Sequence, residues 1–126
     1  MRNFAILGRG AIACGAAIIL LAMPAPSMAV GAFAIGKCGA YGEAHDYPAV
    51  SAARAAALGQ CKGACTALTM RRACAALAID LKNPCGAHGY AVEPEISSSL
   101  NEATRKCYQF GGKECVIRAW ACDAKG

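Results

Sequence analysis

Large aromatic side chains, charge and redox motifs are all scarce in this sequence. Three Phe, four Tyr and one Trp make up 6% of 126 residues, so much of the apolar content is Ala rather than bulky core residues. Charged residues reach only 17%, which argues against a disordered polyelectrolyte, a coiled coil or a basic nucleic-acid-binding tail. No C-x-x-C occurs, which removes the thioredoxin-type redox motif and leaves zinc without its usual paired ligands. Glycine occurs 14 times, yet no G-x-G-x-x-G or G-x-x-x-x-G-K-[ST] string opens a helix, so nucleotide binding has no support. G-x-S-x-G and S-x-x-K are missing too.

Long apolar runs are confined to the first thirty residues. Arg2 and Arg9 precede an apolar stretch from Ala11 to Met23, followed by Pro24, Pro26 and the small-residue site Ser27-Met28-Ala29. This three-part pattern is that of a secretory signal peptide over residues 1–29, cleaved after Ala29. The run is too short for a membrane-spanning helix, which needs about 20 apolar residues. Cys14 loosely resembles a lipidation site, but its longest apolar run, Ala16 to Ala22, follows it instead of preceding it. Cleavage leaves residues 30–126, with eleven basic residues against eight acidic ones, a net charge of +3. Such a mild charge predicts a solvated surface, not a phosphate track.

Beyond Cys14 there are eight cysteines: Cys38, Cys61, Cys65, Cys74, Cys85, Cys107, Cys115 and Cys122. An even count behind a signal peptide reads as a disulfide framework, with no metal bound by these thiols. The text around them repeats. Cys38 begins C-G-A-Y-G-E-A and Cys85 begins C-G-A-H-G-Y-A, while Phe33-Ala34-Ile35 matches Leu77-Ala78-Ile79 upstream. Residues 31–74 and 75–122 are therefore read as two copies of one supersecondary unit.

Each copy predicts a buried strand, a turn, a short extended piece, a helix and a strand that starts at Cys. In the first, Gly31 to Lys37 is the strand, and Tyr41 to Ala44 the extended piece. Pro48 opens a helix whose apolar face is Val50, Ala53, Ala57, Leu58 and Cys61. In the second, Ser99 with Glu102 predicts a capping box, Leu100, Ala103, Cys107 and Phe110 the buried face, and Gly111-Gly112 the stop. The closing strands are Cys65 to Arg72 and Cys115 to Cys122. Alternation places Val116, Arg118 and Trp120 on one face, and Trp120 is expected to pack in the core against a disulfide. Ala73 to Asp80 continues or reverses the first closing strand. The fold class expected is a small, disulfide-rich α+β domain. Its two strand–helix–strand units share one sheet, with both helices on one face. Spacing suggests Cys61–Cys65 and Cys107–Cys115. The remaining four close either within copies (Cys38–Cys74, Cys85–Cys122) or across them (Cys38–Cys85, Cys74–Cys122).

The strings A-A-L-G-Q-C (Ala56 to Cys61), A-C-A-A-L-A (Ala73 to Ala78), E-A-T-R-K-C (Glu102 to Cys107) and C-V-I-R-A-W-A-C (Cys115 to Cys122) carry a resemblance. They are similar to those of a bacterial secreted family catalogued as domain of unknown function 4189. The resemblance covers nearly all of the chain after the leader and implies export and a compact fold. It implies no activity and no catalytic residues, and the three-residue turn from Cys61 to Cys65, with the extra pair Cys38 and Cys85, departs from the family pattern.

Candidate chemistry is sparse. His45 and Asp46 are the weak catalytic candidates, while an even cysteine set leaves no free thiol to pair with His45 or His88. Glu43 with Asp46, or Glu93 with Glu95, would be the carboxylate pairs of a hydrolase. Glu93-Pro94-Glu95 reads more simply as acids before a helix N-terminus. Tyr41, His45, Tyr47, His88 and Tyr90 are the candidate binding residues, and pseudo-symmetry is expected to bring the His45 and His88 loops together as one aromatic surface. The reading leans away from an enzyme and needs no cofactor. It favours an exported, non-enzymatic module that binds another envelope or extracellular protein, as an inhibitor, immunity-type or secreted interaction factor. The alternatives are a small hydrolase using His45 and Asp46, and an envelope-binding structural protein using Arg71, Arg72, Arg105 and Lys106. Nucleic acid is not an expected partner. The signal peptide and resemblance place the protein in the periplasm or outside a Gram-negative cell.

Overall fold

The structure, a computed structural model, describes residue 15 and residues 29–123. The expected signal peptide over residues 1–29 therefore lies outside the described residues, apart from Gly15 and Ala29. Strands β1 (Val30–Ile35) and β2 (Tyr41–Tyr47) lead to helix α1 (Val50–Gln60) and strand β3 (Thr66–Met70). The same order recurs in β4 (Cys74–Asp80), β5 (His88–Glu93), α2 (Ile96–Gln109) and β6 (Cys115–Cys122). Two ββαβ units thus follow one another, as the repeated strings require. Ala73–Asp80 does not extend the first closing strand: β4 opens the second unit and occupies the place β1 holds in the first.

Among the described residues the fold is α+β with two helices, but the single shared sheet is not what forms. There are two separate three-stranded antiparallel sheets, ordered β2-β1-β3 and β5-β4-β6. The reason lies in the central strands. Every residue of β1 and of β4 is buried, so each strand needs cover on both faces. One sheet with both helices on one face would leave the other face wet. Instead each sheet carries its own helix outside and meets the other sheet inside.

Side-chain size sorts with the two faces. On the helix side of β1, Val30, Ala32 and Ala34 pack with Ala44, Ala53, Ala57 and Cys61. On the helix side of β4, Ala76 and Ala78 pack with Ala91, Ala103 and Cys107. The larger Phe33, Ile35, Met70, Leu77 and Ile79 meet between the sheets, with Ala75 and Ala121. Alternation with period two sends small and large residues to opposite faces, which gives close helix–sheet layers around a thicker inter-sheet core.

The glycine that follows the C-G-A turn explains how the helices come so close. A Cβ on Gly42 would overlap the carbonyl oxygen of Ala57, and one on Gly89 would overlap Ala103 O and Cys107 N. The two glycines hold the same place in the two repeats, each under its own helix.

Among the described residues four disulfides form: Cys38–Cys85, Cys61–Cys65, Cys74–Cys122 and Cys107–Cys115. Of the two schemes left open, the cross-copy one is present. Cys38–Cys85 joins the turns of the two units. Cys74–Cys122 ties the start of β4 to the end of β6, where the two residues are already paired in the ladder.

Local expectations fail at four places. Leu58, expected on the apolar face of α1, is 37% exposed, and that face is made by Val50, Ala53, Ala56, Ala57 and Cys61. The capping box does not form, because α2 starts at Ile96 with Glu95 as its N-cap. Ser99, fully buried one turn in, donates to Cys74 O at 2.5 Å and accepts from Glu93 N–H at 3.1 Å, while Glu102 pairs with Arg105. Phe110 is 68% exposed, since it caps α2 off the helical path and leaves its apolar face. Trp120 is 55% exposed. The ladder shifts between Leu77 and Ala78, so Arg118 is left unpaired between Ile117 and Ala119, and strict alternation past it is lost.

Asp80, 5% exposed, ends β4 and accepts at Oδ1 from the N–H groups of Lys82 and Glu114, each at 3.1 Å. Burial alone would raise its pKa, but the N–H groups of Lys82, Glu114 and Lys113 outweigh it and hold the carboxyl below its ordinary range. As pH falls, the unfolded chain then takes up this proton first. The stabilisation is complete above about pH 4 and is lost as pH falls through the lower folded value. Asp80→Asn should flatten the acid limb of a plot of unfolding free energy against pH. An unchanged slope below pH 4 would contradict this role.

Candidate functional site

Exchanging the two units relates one side of the sheet sandwich, where β2 meets β6, to the other, where β5 meets β3. The first side is covered. Tyr41, from the first C-G-A-x-G string, stacks on Phe33 with centroids 6.1 Å apart. The unpaired Arg118 of β6 lies 5.3 Å from the Tyr41 ring centroid and its Nε donates to Gly39 O at 3.3 Å. Further along, His45 Nδ1 is 3.1 Å from Cys122 O and its Nε2 is 3.8 Å from Glu43.

The second side differs by two residues. His88 stands where the first unit has Tyr41, and β3 runs along β1 without the extra residue that supplies Arg118. With no counterpart of that arginine, a cleft of about 260 Å³ stays open between Ile35, Lys37, Thr66, Leu68, His88 and Tyr90. Both sulfurs of the Cys38–Cys85 bridge belong to residues that line it. A second hollow of about 560 Å³ continues around the edge of β5, over His88, Tyr90, Lys106 and Phe110. His88 and Tyr90 stand in both.

This side is aromatic and cationic. His88 and Tyr90 stack with centroids 6.4 Å apart, and Lys106 Nζ lies 6.0 Å from the Tyr90 ring while donating to Tyr90 O at 3.3 Å. Tyr90 is 41% exposed. Among the described residues, Lys37 and Lys106 are the charged ones lining the two hollows, and no carboxylate lines either.

The expected binding residues do not converge. Tyr41 and His45 lie on the β2–β6 side, Tyr47 ends β2 against α1, and His88 and Tyr90 lie across the sandwich. The sheet order sets this, since β2 and β3 are opposite edges of one sheet. The single aromatic surface expected from the His45 and His88 loops is therefore two surfaces. Asp46 sits exposed at the end of β2 with φ 57°, in the left-handed region. Glu93 ends β5, and Glu95 caps α2. Arg71 and Arg72 occupy the β3–β4 turn, and Arg105 is taken up by Glu102, whose carboxyl the guanidinium holds below its usual range. Among the described residues, no group of three or more His, Cys, Asp or Glu is placed to hold a metal ion.

Sequence reasoning missed Lys106 and Phe110 as neighbours of Tyr90. The signal was the glycine pair after Phe110, which turns the chain away before the side chain can reach the core. It also missed Arg118, whose effect needs the ladder shift to be seen.

Four disulfides point to an oxidising, extracytoplasmic location. No helix among the described residues is long and apolar enough to cross a membrane. No curated protein and no solved structure was found to match the chain. Residues 30–122, which hold both ββαβ units and all four bridges, match the family described as Domain of unknown function (DUF4189), and the chain belongs to that family.

Proposed function

We propose that this chain is an exported, non-enzymatic protein-binding module and that the β3–β5 side is its contact surface. The observation that carries the reading is the inequality of the two sides: Arg118 covers one, and its absence leaves the other open. Exposed aromatic side chains beside a cation are the residue types that dominate protein interfaces, and here they stand on a cross-linked, rigid frame. Lys37 and Lys106, unopposed by any lining carboxylate, favour a partner segment that presents an acidic residue next to a bulky apolar one. The partner is another envelope or extracellular protein of a Gram-negative bacterium, reached after removal of the signal peptide.

The test is capture from envelope and culture-medium fractions by the oxidised, processed protein, beside a reduced and alkylated control. One protein should be enriched by the oxidised bait alone. Phe110→Ala and Lys106→Glu should each weaken its binding by roughly tenfold or more. Val116→Ala, on exposed β6, should leave binding unchanged. Equal capture by the Phe110 and Lys106 variants would refute the surface.

A further inference from the structure

Asp123 is, among the described residues, the buried side chain with unpartnered polar atoms. It is fully buried, and no donor reaches either carboxylate oxygen. Its backbone is fixed just past β6, where its N–H donates to Ala73 O at 2.9 Å. Its Cβ lies against β1, 3.2 Å from where a Cβ on Gly31 would stand. His45 is nearby on β2, but its ring meets the carbonyl of Cys122 and not the carboxylate. A buried polar group without a partner is costly, so each carboxylate oxygen calls for a donor.

The sequence supplies that donor. Hydrolysis of the Ala29–Val30 amide by a signal peptidase, with water as co-reactant, leaves a carboxylate on Ala29 and an ammonium on Val30. Val30, itself 3% exposed, adjoins Gly31, which lies against Asp123, so the new ammonium would form close to the carboxylate. The ammonium would supply the donors that both carboxylate oxygens lack.

We propose that Asp123 is the receptor for the α-ammonium of Val30, and that the domain gains its full stability only when the leader is removed. This inference rests on the export reading and is independent of the binding surface. It makes residue 123 a sensor of processing: the precursor holds an amide nitrogen at Val30, with no positive charge to offer.

The test uses protein processed by its own host, with mass spectrometry to define the first residue. Val30 is the residue expected, and any other first residue overturns the proposal. Thermal melting is then compared for this protein, a form retaining Met28-Ala29, Asp123→Asn, and the two changes combined. Each single change should lower the melting temperature by about 4 °C or more, and the combination should fall no lower than the worse of the two. Additive losses, or no loss from the retained residues, would overturn the pairing. A second measurement needs no variant. The Val30 α-amine should hold its proton at least one unit above its ordinary value of about 8, a tenfold effect, and an ordinary value would overturn the proposal.

Discussion

Replacing Cys74 and Cys122 together by alanine should cost about 4 kcal/mol of folding free energy, the loop-closure entropy for a bridge across their 48-residue separation. Removing Cys61–Cys65, which spans 4 residues, should cost about 2 kcal/mol by the same relation. Against a total stability of about 5–15 kcal/mol for a small domain, the first loss leaves the fold marginal and the second does not. Position adds to the difference. Cys74 is fully buried at the start of the central strand, while Cys61 and Cys65 sit beyond the end of α1. Urea unfolding of the two double variants gives the comparison. Equal losses would mean that the unfolded chain is already restricted and that the long bridge is not what holds the second sheet closed.

Gly89→Val should destabilise by about 3 kcal/mol, because the new side chain meets backbone and not a movable side chain. Its Cβ would overlap Ala103 O and Cys107 N, so α2 must lift from β5 and open the alanine layer of Ala76, Ala78, Ala91 and Ala103. Gly42→Val should do the same to α1 through the Ala57 carbonyl. Gly59, which lies in α1 and not on a strand, is the contrast. Nothing lies within 4 Å of a Cβ there, so Gly59→Ala should stabilise by about 1 kcal/mol through helix propensity. If Gly89→Val and Gly59→Ala shift the urea midpoint alike, close helix approach is not why the C-G-A-x-G string carries its second glycine.

The repeated string was the most legible part of the fold. C-G-A-Y-G and C-G-A-H-G mark the same turn and the same glycine under each helix, so the duplication and both helices could be read from spacing. The sheet arrangement could not, because Phe33-Ala34-Ile35 and Leu77-Ala78-Ile79 read as buried strands without saying what covers each face. Only the sorting of Ala to one face and Phe, Leu and Ile to the other implies two sheets back to back. Ser99 shows how a local signature loses to packing: its hydroxyl serves Cys74 and Glu93 across the sheet, and the helix starts three residues earlier. Helical spacing with Leu100, Ala103 and Cys107 would put Phe110 in the core, and nearness to Cys122 would put Trp120 there. A ladder shift at Arg118 and a glycine stop after Phe110 put both in water.

The candidate site was legible in fewer places. His88 and Tyr90 could be picked out as an aromatic pair beside a turn, but Tyr41 and His45 lie on the opposite edge. What distinguishes the two sides is one inserted residue in β6. An insertion of that kind is invisible in periodicity, since it shows only as a change of pairing partner.

The measurement that bears most directly on the open β3–β5 side is photo-crosslinking in the living envelope. A photoreactive phenylalanine analogue is placed at Phe110 in one strain and at Trp120, also exposed but on β6, in another. The account predicts a discrete covalent adduct from position 110, absent when Lys106→Glu is added, and none from position 120. An adduct from position 120 alone would contradict it and move the contact surface to β6.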